Sequence, residues 1–176
     1  MKVTKRINCF FDRVVHEVRI INLKKMIISG SIFLALGILS WIIGGKTDKL
    51  TIFFLFPRSA IPLGFMFVFW GIYFVVFGFI FSGVLLGCEK YKRQRAIKIG
   101  IYMCLSYLFT FCIYPAFFGG LSFLGAFVVI LIAEFFCLLA LHNAIKLYSF
   151  WSICLSICFL WLMYNGYVAL AFSFIN

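Results

Sequence analysis

The chain has 176 residues, 65% of them hydrophobic and only 12% charged, with a mean hydropathy of +1.14 and a net charge of +11. A soluble domain of this size carries about 25% charge, so a water-soluble globule is excluded. The positive balance does not call for nucleic acid as a partner, because the basic residues flank long apolar runs and act there as a topology signal.

Residues 1–25 form a basic segment. Ile7, Phe11, Val14, Val18 and Ile21 recur at helical spacing, while Asp12, Arg13, His16 and Arg19 fill other faces. This pattern predicts an amphipathic helix lying on a surface rich in anionic lipid. The plainer reading is a tail that only sets topology.

Residues 26–176 read as one membrane domain with five apolar stretches, at about 26–45, 60–88, 96–118, 121–141 and 147–175. Each meets the requirement of about 20 helical residues for a hydrocarbon core of about 30 Å. The runs are apolar all round rather than alternating, which argues against a transmembrane barrel. The expected fold class is an all-α integral membrane protein, a five-helix bundle with an amphipathic N-terminal segment. Of the sixteen basic residues, only Lys46, Lys49 and Arg58 fall in the first or third connection or the tail. The positive-inside rule then predicts a multi-pass cell-membrane protein with its N-terminus in the cytoplasm and its C-terminus outside.

The first connection holds the run Ile52-Phe53-Phe54-Leu55-Phe56, which is expected to fold back over the mouth of the bundle. Pro57 and Pro62 bracket the start of the second helix, where proline is tolerated. Gly83 and Gly87 form a GxxxG pair and Gly78 and Ser82 a related one, suited to close helix contact within the bundle or between copies. The seven cysteines include no CxxC. Cys154 and Cys158, one turn apart, suit either packing or a soft metal or heme iron; no metal site is expected.

Conventional catalytic constellations are absent. The chain has five acidic residues and two histidines, with no paired carboxylate, HExxH, GxSxG or phosphate loop, so no enzyme is expected. Glu134 stands alone inside the fourth stretch. A charge at that depth is expensive, so Glu134 reads either as a ligand- or proton-binding group or as a protonated side chain bonding a neighbouring helix. Trp41 and Trp151 suit interfacial anchoring, whereas Trp70 and Trp161 lie deeper. Trp70 and Phe74 share a face of the second helix, and Trp161, Tyr164, Asn165 and Val168 share a stripe of the fifth. Facing each other, the two stripes make either an aromatic-walled slot for a flat apolar ligand or ordinary packing.

From Lys49 onward the chain resembles the TspO/MBR family, the translocator or tryptophan-rich sensory proteins. Pro57, Pro62, Trp70 and Gly78 keep that family's intervals, and Pro115-Ala116-Phe117-Phe118-Gly119 matches its third-helix ending. Ala126, Trp161 and Asn176 fit as well. Several positions depart. Ile61-Pro62 replaces a double proline, and Phe74 beside Tyr73 replaces a tyrosine. Ser106 and Thr110 stand near two amides, Ile157-Cys158 replaces Pro-Tyr, and Val168-Ala169 replaces Leu-Asn. The resemblance implies five helices around a pocket closed by the first loop, taking porphyrin, heme or another hydrophobic small molecule, with no cofactor required. By position the pocket would use Pro57, Pro62, Trp70, Phe74, Thr110, Ile113, Trp161 and Asn165. It also implies a sensor, receptor or transporter role, with porphyrin breakdown as a further option, and a homodimer. Two other functions stand beside it: a small solute- or proton-coupled transporter using Glu134, and a structural subunit of a membrane complex.

Overall fold

The computed structural model describes residues 12, 14, 15, 17, 22–45, 55, 57, 60–86, 93–120 and 122–176, with Leu63 and Leu86 described by backbone alone. Five long helices make up nearly all of it: α1 (Leu23–Gly44), α2 (Leu63–Leu86), α3 (Arg93–Tyr114), α4 (Phe123–Ala144) and α5 (Ser149–Ile175). A single π-helical turn, Pro115–Gly119, ends α3. No strand occurs among the described residues, and all five helices are long and apolar enough to span a membrane. The protein is therefore an all-α, multi-pass membrane protein.

The helix ends differ from the apolar runs by a few residues, because backbone hydrogen bonding does not stop where hydropathy does. Helix α1 begins at Leu23, since the Asn22 side chain accepts a bond from the Lys25 N–H at 3.2 Å. Ser122 caps α4 in the same way, accepting from the Gly125 N–H at 3.2 Å. Helix α3 starts three residues before its apolar run, on the charged turn Arg93-Gln94-Arg95. Of the N-terminal segment, Asp12, Val14, Val15 and Glu17 are described and helical; the rest of that expected amphipathic helix lies outside the described residues.

The helices close a ring: α1 packs on α2, α2 on α5, α5 on α4, α4 on α3 and α3 on α1, with α2 also reaching α3. In hydrocarbon the apolar surfaces gain nothing by leaving water, so packing and interhelical hydrogen bonds must hold the ring. Both are visible. Hydroxyls donate to backbone carbonyls of neighbouring helices: Ser29 to Gly78 O at 2.8 Å, Tyr107 to Phe33 O at 2.6 Å, Ser106 to Ala133 O at 2.8 Å and Tyr148 to Val84 O at 3.2 Å. Ser40, fully buried, donates to Phe111 O. That carbonyl is left over because Pro115, four residues on, has no N–H to give it.

Glycines set the closest approaches. A Cβ on Gly78 would come within 2.8 Å of the Gly30 Cα, so α1 and α2 touch backbone to backbone. The Trp151 ring of α5 occupies the space that a side chain on Gly83 would need. Both glycines of the expected close-contact pairs that are described, Gly78 and Gly83, are thus used inside the bundle.

The described basic residues, Lys24, Lys25, Arg93, Arg95, Lys98 and Lys146, collect at one end of this up-and-down bundle. At the same end the Glu17 carboxylate caps α5, accepting from the Ser149 N–H at 2.8 Å and the Phe150 N–H at 3.0 Å. Negative charge at a helix N-terminus meets both the unbonded N–H groups and the positive dipole end.

An aromatic candidate site between α2, α3 and α5

The half of the bundle away from the basic residues is filled by rings. Trp70, 2% exposed, lies at its centre. It meets Trp161 of α5 edge-on at 5.9 Å, Tyr114 of α3 at 5.7 Å, and Tyr73 and Phe74 of its own helix at 5.3 and 5.5 Å. Trp161 is only partly buried; it stacks on Tyr164 at 5.5 Å and touches Phe69 at 5.5 Å. The two stripes expected to face each other do so.

Against this cluster lies a small cavity lined by Met66, Trp70, Ile113, Tyr114, Phe117, Phe118, Ile130, Asn165 and Val168. Its volume is about 20 Å³. A single water needs about 10–15 Å³, so the cavity has room for one water and not for a ring. Two buried polar atoms in this region have no hydrogen-bond partner among the described residues: Trp161 Nε1, a donor, and Asn165 Oδ1, an acceptor. They sit one turn apart on α5. The Asn165 amide is anchored at its other end, where Nδ2 donates to Trp161 O at 2.7 Å. An unmet buried polar atom costs about 1–3 kcal/mol, so this is a place where the fold forgoes stability.

Of the eight residues expected to form a pocket, Trp70, Ile113 and Asn165 line the cavity and Trp161 stands beside it. Phe74 turns away, filling the space beside Gly37 of α1 and meeting Tyr107 at 5.7 Å. Thr110 is fully buried, and its hydroxyl donates back to Ser106 O at 2.9 Å instead of facing the cavity. The Tyr73 hydroxyl is also buried and has no hydrogen-bond partner among the described residues. Pro57 and Pro62 act on the chain around them. Pro57 is buried and its carbonyl accepts from the Ala60 N–H at 3.0 Å; exposed Pro62 starts α2, accepting from Phe65 N–H at 3.0 Å and Met66 N–H at 3.1 Å.

Met66, Tyr114 and Ile130 line the cavity and were not singled out by sequence. Tyr114 carried a usable signal, as an aromatic immediately before a helix-ending proline. The π turn after it swings Phe117 and Phe118 inward, and π-helical turns are frequent at functional sites.

Two contacts tie the first connection to α5. The Asn176 side chain pairs with the Leu55 backbone, Oδ1 accepting from its N–H at 2.8 Å and Nδ2 donating to its carbonyl at 3.1 Å. The Ile61 N–H donates to the Tyr164 hydroxyl at 2.9 Å. Residues 52–54 and 56 of the apolar run lie outside the described residues.

Glu134 is apart from this cluster. It sits midway along α4, partly buried, with Oε1 against Gly166 of α5, where an added Cβ would come within 2.9 Å of it. Comparison of the chain with protein-family models, with curated proteins and with solved structures returns no match.

Proposed function

We propose that this protein is a membrane receptor, sensor or transporter-like carrier for a flat hydrophobic ligand, a tetrapyrrole such as porphyrin or heme, taken up between α2, α3 and α5. The observation that carries the reading is an unpaired donor and an unpaired acceptor, Trp161 Nε1 and Asn165 Oδ1, beside a wall of aromatic rings. Rings favour a planar partner by offset or edge contact, and the two polar atoms would bind its polar edge. The ring of a ligand needs more room than the cavity has, so binding requires displacement. Trp161 is the side chain to move, because it is only partly buried and has no hydrogen bond to lose at Nε1. The first connection would move with it, through the Tyr164 and Asn176 contacts on the same helix.

The resemblance to the TspO/MBR family supports the same ligand class. The collected basic residues support an orientation with that end, and the N-terminus, in the cytoplasm of the cell membrane, and the aromatic end outside. No residue is asked to do covalent chemistry.

The test is a titration of purified protein in lipid nanodiscs with protoporphyrin IX, followed by the absorption shift of the pigment. Saturable binding is expected in the native chain and its loss in Trp70→Ala/Trp161→Ala, while a singly substituted Trp41→Ala at the helix end leaves it unchanged. Equal binding by the double variant and the native chain would contradict the proposal.

A further inference from the structure

The seam between α3 and α4 changes character along its length, from charge through hydroxyl to flat rings. Ser106 of α3 bonds the Ala133 carbonyl of α4, and three residues on, Phe109 stacks on Phe136 with ring centres 5.8 Å apart and planes within 10°. Both rings are half-buried, so the stack gives the lipid side of the seam a flat apolar floor. Lys98 lies about three turns before Phe109 and shares its face of α3. Tyr102, also half-buried, stands on that face between them. The same distance along antiparallel α4 from Phe136 reaches the turn that holds Lys146. Lys98 and Lys146 are therefore level, one on each side of the seam.

The charges here are unspent. Arg95 and Lys98 are exposed, and neither has a hydrogen-bond or ion-pair partner among the described residues. Lys146 is 3.0 Å from His142 Nε2, which uses one of its three N–H groups. Glu17, an acid at this end, is engaged at the start of α5. The Tyr102 hydroxyl has no hydrogen bond among the described residues. Topology alone accounts for basic residues at this end, but it asks for no hydroxyl and no stacked rings in line beneath them.

We infer that the lipid side of the α3–α4 seam is a binding site for one anionic phospholipid of the adjacent leaflet. Its phosphate sits between Lys98 and Lys146 with Arg95 beside it, and one acyl chain runs over Tyr102 and the Phe109–Phe136 stack. The argument is the order of the groups. Ammonium groups meet phosphate oxygens in charge-assisted bonds, and basic pockets between membrane helices suit anionic head groups. About 6 Å deeper, the rise of four helical residues, the Tyr102 hydroxyl is placed to donate to an ester carbonyl. About 16 Å below Lys98, the stacked rings underlie the hydrocarbon chain. A free phosphate would use only the first of these layers, and a zwitterionic lipid would bring a cation of its own against the lysines. The site belongs to α3 and α4 rather than to the N-terminal segment, and it is independent of any ligand in the aromatic site.

Native mass spectrometry of the full chain in detergent, titrated with phosphatidylglycerol, measures this site. The native chain is expected to bind one such lipid about tenfold or more tighter than phosphatidylcholine, the scale of two basic groups at a lipid surface. Lys98→Gln/Lys146→Gln should remove that preference. Lys24→Gln/Lys25→Gln deletes as much charge at the same end of the bundle and should stay within about threefold of the native value. Glycerol phosphate at the same concentration should not displace the lipid. Tyr102→Phe should weaken binding of the diester lipid by about threefold, the scale of one hydrogen bond, and leave its dialkyl-ether analogue, which has no ester carbonyl, unchanged. No preference for the anionic lipid, equal losses in the two double variants (charge at the rim only), displacement by glycerol phosphate (a free-phosphate site), or a Tyr102→Phe effect that is absent or equal for both lipids would each overturn the inference. Should Lys98→Gln/Lys146→Gln fail to fold, the Tyr102→Phe comparison decides alone.

Discussion

The two halves of the bundle solve the same problem differently. At the basic end, backbones touch at Gly30 and Gly78, Trp151 fills the space over Gly83, and Ser29 and Tyr148 donate to carbonyls of adjacent helices. At the other end, rings fill the space between α2, α3 and α5, a one-water cavity remains, and Trp161 Nε1 and Asn165 Oδ1 stay unpaired. Interlocked backbone has one arrangement, whereas aromatic side chains have several. The second half also has a backbone contact, Gly44 of α1 against Tyr114 of α3, but it alone keeps adaptable aromatic surface and unpaired polar atoms, at some loss of stability.

The sharpest way to break this contrast is at the basic end. Gly78→Val puts side-chain carbon against the Gly30 backbone, which has no rotamer to yield. A loss near the top of the usual overpacking range, about 3 kcal/mol, is expected, read as a lower unfolding midpoint in mixed micelles. Next comes Ser40→Ala, at the opposite end of α1, which strands the Phe111 carbonyl already abandoned by Pro115. It should cost about 1–2 kcal/mol in the same assay, and a midpoint unchanged from the native chain would show that another group serves that carbonyl. Glu17→Ala removes both bonds at the start of α5 and should cost about 1 kcal/mol, with faster amide exchange confined to residues 149–152. At the unpaired atoms of α5 the sign reverses. Asn165→Leu removes an unpaired acceptor, and replacing a polar group by an apolar one of similar shape is close to neutral or stabilising. An Asn165→Leu chain as unstable as Ser40→Ala would erase the distinction between paired and unpaired polar groups.

Much of this was legible in the sequence, for a physical reason. Hydrocarbon demands long apolar helices, so five runs gave five spans, and deep tryptophans on matching faces gave the Trp70–Trp161 contact. Other features depend on rotation and neighbour choice, which periodicity does not encode. Phe74 shares a face with Trp70, yet the ring order brings Gly37 of α1 beside it and takes it out of the cavity. Thr110 looks available for a ligand, but its hydroxyl finds the Ser106 carbonyl one turn back. The Glu17 cap joins residues more than a hundred positions apart and leaves no local pattern. Helix ends shifted because caps such as Asn22 and Ser122, rather than hydropathy, decide where hydrogen bonding begins.

The central claim is that the unpaired atoms of α5 are kept for a ligand and not for the fold. Asn165→Leu in nanodiscs tests it directly, by measuring unfolding midpoint and protoporphyrin IX affinity on the same preparation. The account predicts a midpoint equal to or above the native one together with binding weaker by about tenfold, the worth of a buried hydrogen bond to a ligand. Native affinity in a stable Asn165→Leu chain, or no saturable binding in the native chain, would contradict it.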